Sequence, residues 1–354
     1  MTRKAILFIF SCVLPLVLFT GCGENNQKTP DVSGVKVALQ TYRFDVDMYD
    51  IDTNHVVNGL TKLRTKYPDF LDFFLDTVMG FGVHNNYSDT NMAIMQGVHE
   101  YLSHKDYRGL EDEIKKNFPD TKETDKEITD AFKLLKYYMP TSPVPKVIYI
   151  NRILVGSSAF HVDLNTTCVC LDMFLGETFP IYESLQMPAY MAPHHDRKYI
   201  PVALFREIYE ATYQYRQDEV TLLDRMLQRG KEQYFLHAIM PHTADSTLFG
   251  FRANQVQWCT KNEGNLYNFF VQQNLLYNKE ERAIGTYVVD GPYAKNIGSA
   301  TDEGNPTPGN VGSWVGYKIV AAYMAQHPQV TLKQLLEMQI DPTRFLEEAK
   351  YRPK

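Results

Sequence analysis

Apolar and polar positions divide the chain into stretches of different period. From Asn54 to Met139 apolar residues recur every three or four positions, the spacing of helices with one buried face. It predicts helices over Asn54–Lys66 (Val56, Val57, Leu60, Leu63), Pro68–Met79, Asp89–Ser103, Tyr107–Phe118 and Asp125–Met139. In the third, Met92, Met95, Val98 and Leu102 form an apolar stripe expected to fill core. Pro140, Pro143 and Pro145 end the series. The period then drops to two, predicting strands at Lys146–Ile150, Ala159–Asp163 and Thr166–Leu171, with a weaker one at Val35–Leu39. Tyr182–His195 has no period and reads as a long loop. Helical spacing returns over Ile200–Arg216, Thr221–Met240, Phe249–Glu263, Gly264–Leu276, Val311–Gln326, Leu332–Met338 and Asp341–Ala349, with loop from Tyr287 to Asn310. The pattern implies a helix-rich α+β fold with one small sheet, in a single domain from residue 35 to 354.

The first residues have a separate logic. Arg3 and Lys4 precede an apolar run from Ala5 to Phe19, and Phe19-Thr20-Gly21 leads to Cys22. A basic start, a short apolar stretch and small residues before a cysteine predict a signal peptide over 1–21. The run is short for a membrane span. Cys22 is then the expected lipidation site, making the protein lipid-anchored to a membrane rather than membrane-spanning. Polar residues 22–34 read as a flexible tether.

Charge narrows the partners. With 36 basic and 42 acidic residues the net charge is −6, which argues against nucleic acid and against a polybasic lipid-binding face. After Cys22 only Cys168, Cys170 and Cys259 remain. An odd count leaves at least one free thiol, and two strand residues two apart share a face rather than bond. No disulfide framework is expected, so stability must come from apolar burial.

Chemistry concentrates on the helix at Ile200. Arg206-Glu207-Ile208-Tyr209-Glu210 has the spacing of a His-Glu-x-x-His metallopeptidase helix, where two histidines one turn apart hold zinc and the glutamate is the general base. Glu207 stands at the base position, but Arg206 and Glu210 replace both histidines. Arginine offers a metal no lone pair. By itself the pattern also fits a surface helix with an Arg206–Glu210 pair.

Several separated stretches together resemble the gliding-motility lipoproteins of the GldB type, found in Bacteroidetes and related to predicted zinc metallopeptidases. They are the lipobox Cys22, Tyr42-Arg43-Phe44-Asp45, Asp172-Met173-Phe174-Leu175-Gly176, Thr221–Met226 with Gly230-Lys231, Phe249–Cys259 with Asn262-Glu263, and Gly312–Val320. The resemblance implies a zincin-like fold with a degenerate active-site helix, in which a later helix would supply a third ligand position at Arg229 before Gly230. Two arginines and one glutamate at three ligand positions oppose a cation, so neither metal nor cofactor is expected. Arg206, Glu210 and a residue near Gly230, Arg229 or Glu232, are instead expected to close the old cavity as an ion-paired cluster. The implied function is a non-catalytic binding or assembly component of the envelope, in the outer membrane, with other envelope lipoproteins or outer-membrane proteins as partners.

Other readings remain open at this level. A working metal-dependent hydrolase would keep Glu207 as general base and draw unorthodox ligands from Glu210, His194, His195, His237 or His242. A serine or cysteine hydrolase would use Gly156-Ser157-Ser158 or Cys168, but no Gly-x-Ser-x-Gly elbow is present. A glycan-binding role has only the 13% aromatic content behind it, which ordinarily serves a core.

Overall fold

The strand residues alternate between two hydrophobic cores. The computed structural model describes residues 29–214, 220–298 and 307–353. The expected signal peptide, Cys22 and most of the expected tether lie outside them, as does Arg216. Strands β1 (Thr41–Arg43), β2 (Lys146–Ile150), β3 (Ala159–Asp163) and β4 (Thr166–Cys170) form one sheet in the order β1-β2-β4-β3. β1 and β4 run parallel to β2, and the edge strand β3 runs antiparallel to β4. Val147, Tyr149, Val169 and Leu171 enter one core, while Ile148, Ile150, Cys168 and Cys170 enter the other. Side chains of successive strand residues point to opposite faces, so a strand covered on both faces must be apolar throughout.

One core is built by the first helices, α1 (Phe44–Tyr49), α2 (Val56–Lys66), α3 (Phe70–Phe73) and α4 (His99–Ser103). Phe44 is its hub, with the rings of Tyr67, Phe70 and Phe74 at 5.0, 4.9 and 4.7 Å in edge-on contact. The larger core takes α5 (Lys105–Asn117), α6 (Lys122–Tyr138) and the helices that follow the sheet. These are α7 (Pro180–Ser184), α8 (Ile200–Thr212), α9 (Leu222–Ile239), α10 (Asp245–Phe249), α11 (Ala253–Lys261), α12 (Glu263–Gln272), α13 (Glu281–Ile284), α14 (Val311–Gln326), α15 (Leu332–Glu337) and α16 (Pro342–Ala349). Residues from Val32 onward form one compact unit. No helix among the described residues is long and apolar enough to cross a membrane.

Helix α9 is the strut on which the larger half is hung. It starts at a capping box in which Thr221 and Asp224 satisfy each other's backbone N–H groups. Two glycines, Gly230 on α9 and Gly316 on α14, let α14 pack directly on it. A Cβ at Gly230 would stand 2.3 Å from the Gly316 carbonyl carbon, and one at Gly316 would stand 1.8 Å from the Met226 oxygen. Gly312, also on α14, passes instead against the Tyr287 carbonyl, where a Cβ would stand 2.5 Å from the oxygen. Backbone meets backbone here, and no side chain fits between.

Four expectations fail locally. Val35–Leu39 is not a strand; the sheet begins at Thr41, after Gln40 accepts a hydrogen bond from Val147 N–H. The stripe at Met92 and Met95 is not core: both side chains are more than half exposed. Residues Ala93–Val98 wind as a π-helix, so a 3.6-residue spacing no longer marks one face. Tyr182–His195 is not all loop, since α7 ends within it and a 3₁₀ segment, Ala189–His195, closes it. Helix α8 stops at Thr212 rather than Arg216, because Tyr213 leaves helical geometry (φ −121°, ψ 83°).

Candidate functional site

Helix α8 is buried along nearly its whole first two turns, from Ile200 to Phe205. Pro201 opens it, where its missing N–H costs nothing. The helix packs on β3 and β4 on one side and on α9 on the other. Arg206 therefore points into the protein. Its side chain reaches across to α9.

The arginine meets Glu232, one of the most buried carboxylates in the chain at 1% exposure. Arg206 Nε stands 3.2 Å from Glu232 Oε1, within ion-pair range but misaligned for a hydrogen bond. Its Nη2 donates to the Leu248 carbonyl at 2.9 Å. With the Gln233 amide oxygen turned toward it, the same nitrogen also donates to Gln233 at 2.8 Å. The guanidinium lies over the Tyr199 ring at 5.8 Å. Burial alone opposes its charge, but Tyr199, Glu232 and Asp290 outweigh that and hold it more firmly protonated than usual.

Arg229 completes the chain of charges. Its Nη1 donates to Glu232 Oε2 at 2.9 Å and to Glu210 Oε1 at 3.1 Å. The order is thus Arg206–Glu232–Arg229–Glu210, running from interior to surface. Arg206, Arg229 and Glu210 are brought together, but Arg206 and Glu210 do not pair directly; each is joined to the other through α9. Glu232 is the centre, and sequence reasoning ranked it behind Arg229. The usable signal was spacing: residues 229, 232 and 233 lie on one face of α9.

A zinc ion does not fit this donor set. Both carboxylates are already bound to guanidinium groups, which would repel a cation. Among the described residues, no three His, Cys, Asp or Glu side chains are grouped so as to hold a metal. Glu207 points elsewhere on α8, without a hydrogen-bond or ion-pair partner among the described residues. Burial, with a smaller contribution from Glu210, pushes its carboxyl up to about 7.

The family model for gliding motility protein GldB matches residues 25–353. The chain belongs to the GldB family. No curated protein and no solved structure matches it.

Stretches that carried the GldB resemblance have structural work in this fold. Arg43 grips Asp45 with two nitrogens (2.9 and 2.7 Å) and donates to the Phe118 carbonyl at 2.7 Å, locking β1 to α1 and α5. Asp172, fully buried, accepts from the N–H of Leu154 at 2.6 Å and of Arg152 at 3.3 Å. It thereby steadies the turn in which Ile153 and Leu154 adopt positive φ. Gly230 and Gly316 serve the α9–α14 contact, and Gly312 the approach of α14 to Tyr287.

The alternative ligands do not converge. His194 stacks on Tyr199 at 4.5 Å and abuts Gly250, where a Cβ would stand 2.0 Å from the His194 Nε2. Burial lowers its pKa to about 4; Asp290 opposes and Arg206 adds to the shift. His195 stacks on Tyr182 and hydrogen-bonds the Met173 carbonyl at 2.9 Å. His237 is held by the Gln233 carbonyl and Asp245, and His242 is exposed. Cys168 is buried in the core beneath the sheet, and desolvation pushes its thiol up, so no thiolate is available.

Proposed function

We propose that this GldB-family protein is a lipid-anchored component of the cell envelope, linked to gliding motility, in which a metallopeptidase-like site has become a structural clamp. The observation that carries this reading is Glu232, a nearly solvent-free carboxylate held between Arg206 and Arg229 where a metal would need lone pairs. The zincin-like part rests on the antiparallel edge strand β3, followed by α8 lying against it and then by α9. The role that fits is binding or assembly, with other envelope lipoproteins or outer-membrane proteins as partners at the outer membrane, and with Cys22 carrying the lipid. Two measurements test it. Full-length protein purified from the membrane is analysed for zinc; stoichiometric metal surviving dialysis refutes the closed site. Cells are fed a labelled fatty acid, and label must vanish in Cys22→Ala.

A hydrolytic reading has one observation in its favour. Glu207 carries a carboxyl with pKa near 7, in the range suited to a general base. Glu207→Gln separates the two. In the binding reading it preserves gliding or envelope function at unchanged abundance. Loss of function with unaltered stability assigns Glu207 a catalytic role.

A further inference from the structure

A cleft lies apart from the charge chain, where the end of α8, the outer face of α9 and the α15–α16 turn meet. It encloses about 140 Å³. Among the described residues, Lys231 is the only cation lining it. The Lys231 ammonium donates to the Met338 carbonyl at 2.9 Å and makes no ion pair with a carboxylate among the described residues. Lysine has three N–H donors, so one carbonyl leaves donor capacity facing the cleft. Burial brings its pKa down to about 8. A desolvated ammonium in that position gains more from an anion than a solvated one does.

The remaining lining selects among anions. Asp224 is the one acidic residue there among the described residues, and its carboxylate already caps α9, accepting from Thr221 N–H at 2.9 Å and from the Thr221 hydroxyl at 2.6 Å. That negative charge disfavours a dianion. Beside it, Tyr213, Met338 and Ile340 present apolar surface to the same space. A single positive charge, a fixed negative one nearby and an apolar wall match a monoanion with a short apolar tail.

We propose that this cleft binds a small monocarboxylate with an apolar or aromatic tail, its carboxylate paired with Lys231. The proposal is independent of the clamp at Glu232. The test uses full-length protein and phenylacetate as probe, by calorimetric titration. Phenylacetate is expected to bind saturably, with phenylacetamide and inorganic phosphate each weaker by about tenfold or more. Lys231→Met, which keeps the length of the side chain, is expected to weaken phenylacetate by a similar factor. Reductive methylation read by mass spectrometry gives a second measure in the unaltered protein: phenylacetate must protect Lys231 selectively among the lysines. Equal binding of the amide, tighter binding of phosphate, undiminished binding by Lys231→Met, or methylation of Lys231 unaffected by the ligand each overturns the assignment.

Discussion

Removing the Glu232 carboxylate tests the clamp most directly. Glu232 is 1% exposed and touches two guanidiniums, one of which, on Arg206, is 17% exposed and the other, on Arg229, 33%. Glu232→Ala leaves Arg229 with Glu210 as partner, so that arginine loses little. Arg206 keeps the Leu248 carbonyl but loses its carboxylate in a desolvated site. Stranding one member of a buried pair typically costs about 3–5 kcal/mol. Glu210→Ala is the internal control: it breaks only the outer link, at 43% exposure, for about 0.2–1 kcal/mol, and salt reduces even that. Replacing Arg206 and Glu232 together by Met and Leu removes both charges, and most of the loss should return, because the mutual attraction of a buried pair barely exceeds its desolvation cost. Urea midpoints, followed by fluorescence and circular dichroism with coincident transitions, read all three variants. A loss below about 1 kcal/mol for Glu232→Ala, or equal losses at Glu232 and Glu210, would refute the reasoning, for then the interior pair would be as solvated as the surface one.

Further outcomes follow from the same structure. Gly316→Ala drives a Cβ into the Met226 carbonyl and should cost at least about 2 kcal/mol in urea denaturation, whereas Gly109→Ala, in open space on α5, should stabilise by about 0.5–1 kcal/mol. Burial raises the Glu111 carboxyl to about 8 in the folded state from its ordinary value near 4.5, so its contribution to stability is complete at low pH and is lost as pH rises toward 8. Glu111→Gln, which keeps a partner for Asn151, should therefore flatten the decline in stability between pH 5 and 8, as measured by thermal unfolding at each pH. Cys168, Cys170 and Cys259 are all buried free thiols, and none should react with a thiol reagent until urea opens the fold.

The periodicities of the chain were enough to find its strands from Lys146 onward and to place most of its helices, because a period of two or of 3.6 is imposed by local backbone geometry. The spacing of a His-Glu-x-x-His helix singled out Arg206, Glu207 and Glu210, and the family resemblance added Arg229. Local spacing misled at Met92 and Met95, where a π-helix rotates the stripe away from the core. It placed Arg206 against Glu210 along one helix, whereas the partner came from the next: α9, drawn close to α8 and held in place by the glycine contact with α14, presents Glu232 across the gap. The same docking of α9 against the α15–α16 turn buries Lys231 and creates its cleft, which no run of residues foretells. A sequence states which side chains carry charge and which faces are apolar. Which charges meet, and how far water is kept from them, is decided when separate helices pack, because desolvation belongs to the neighbourhood and not to the residue.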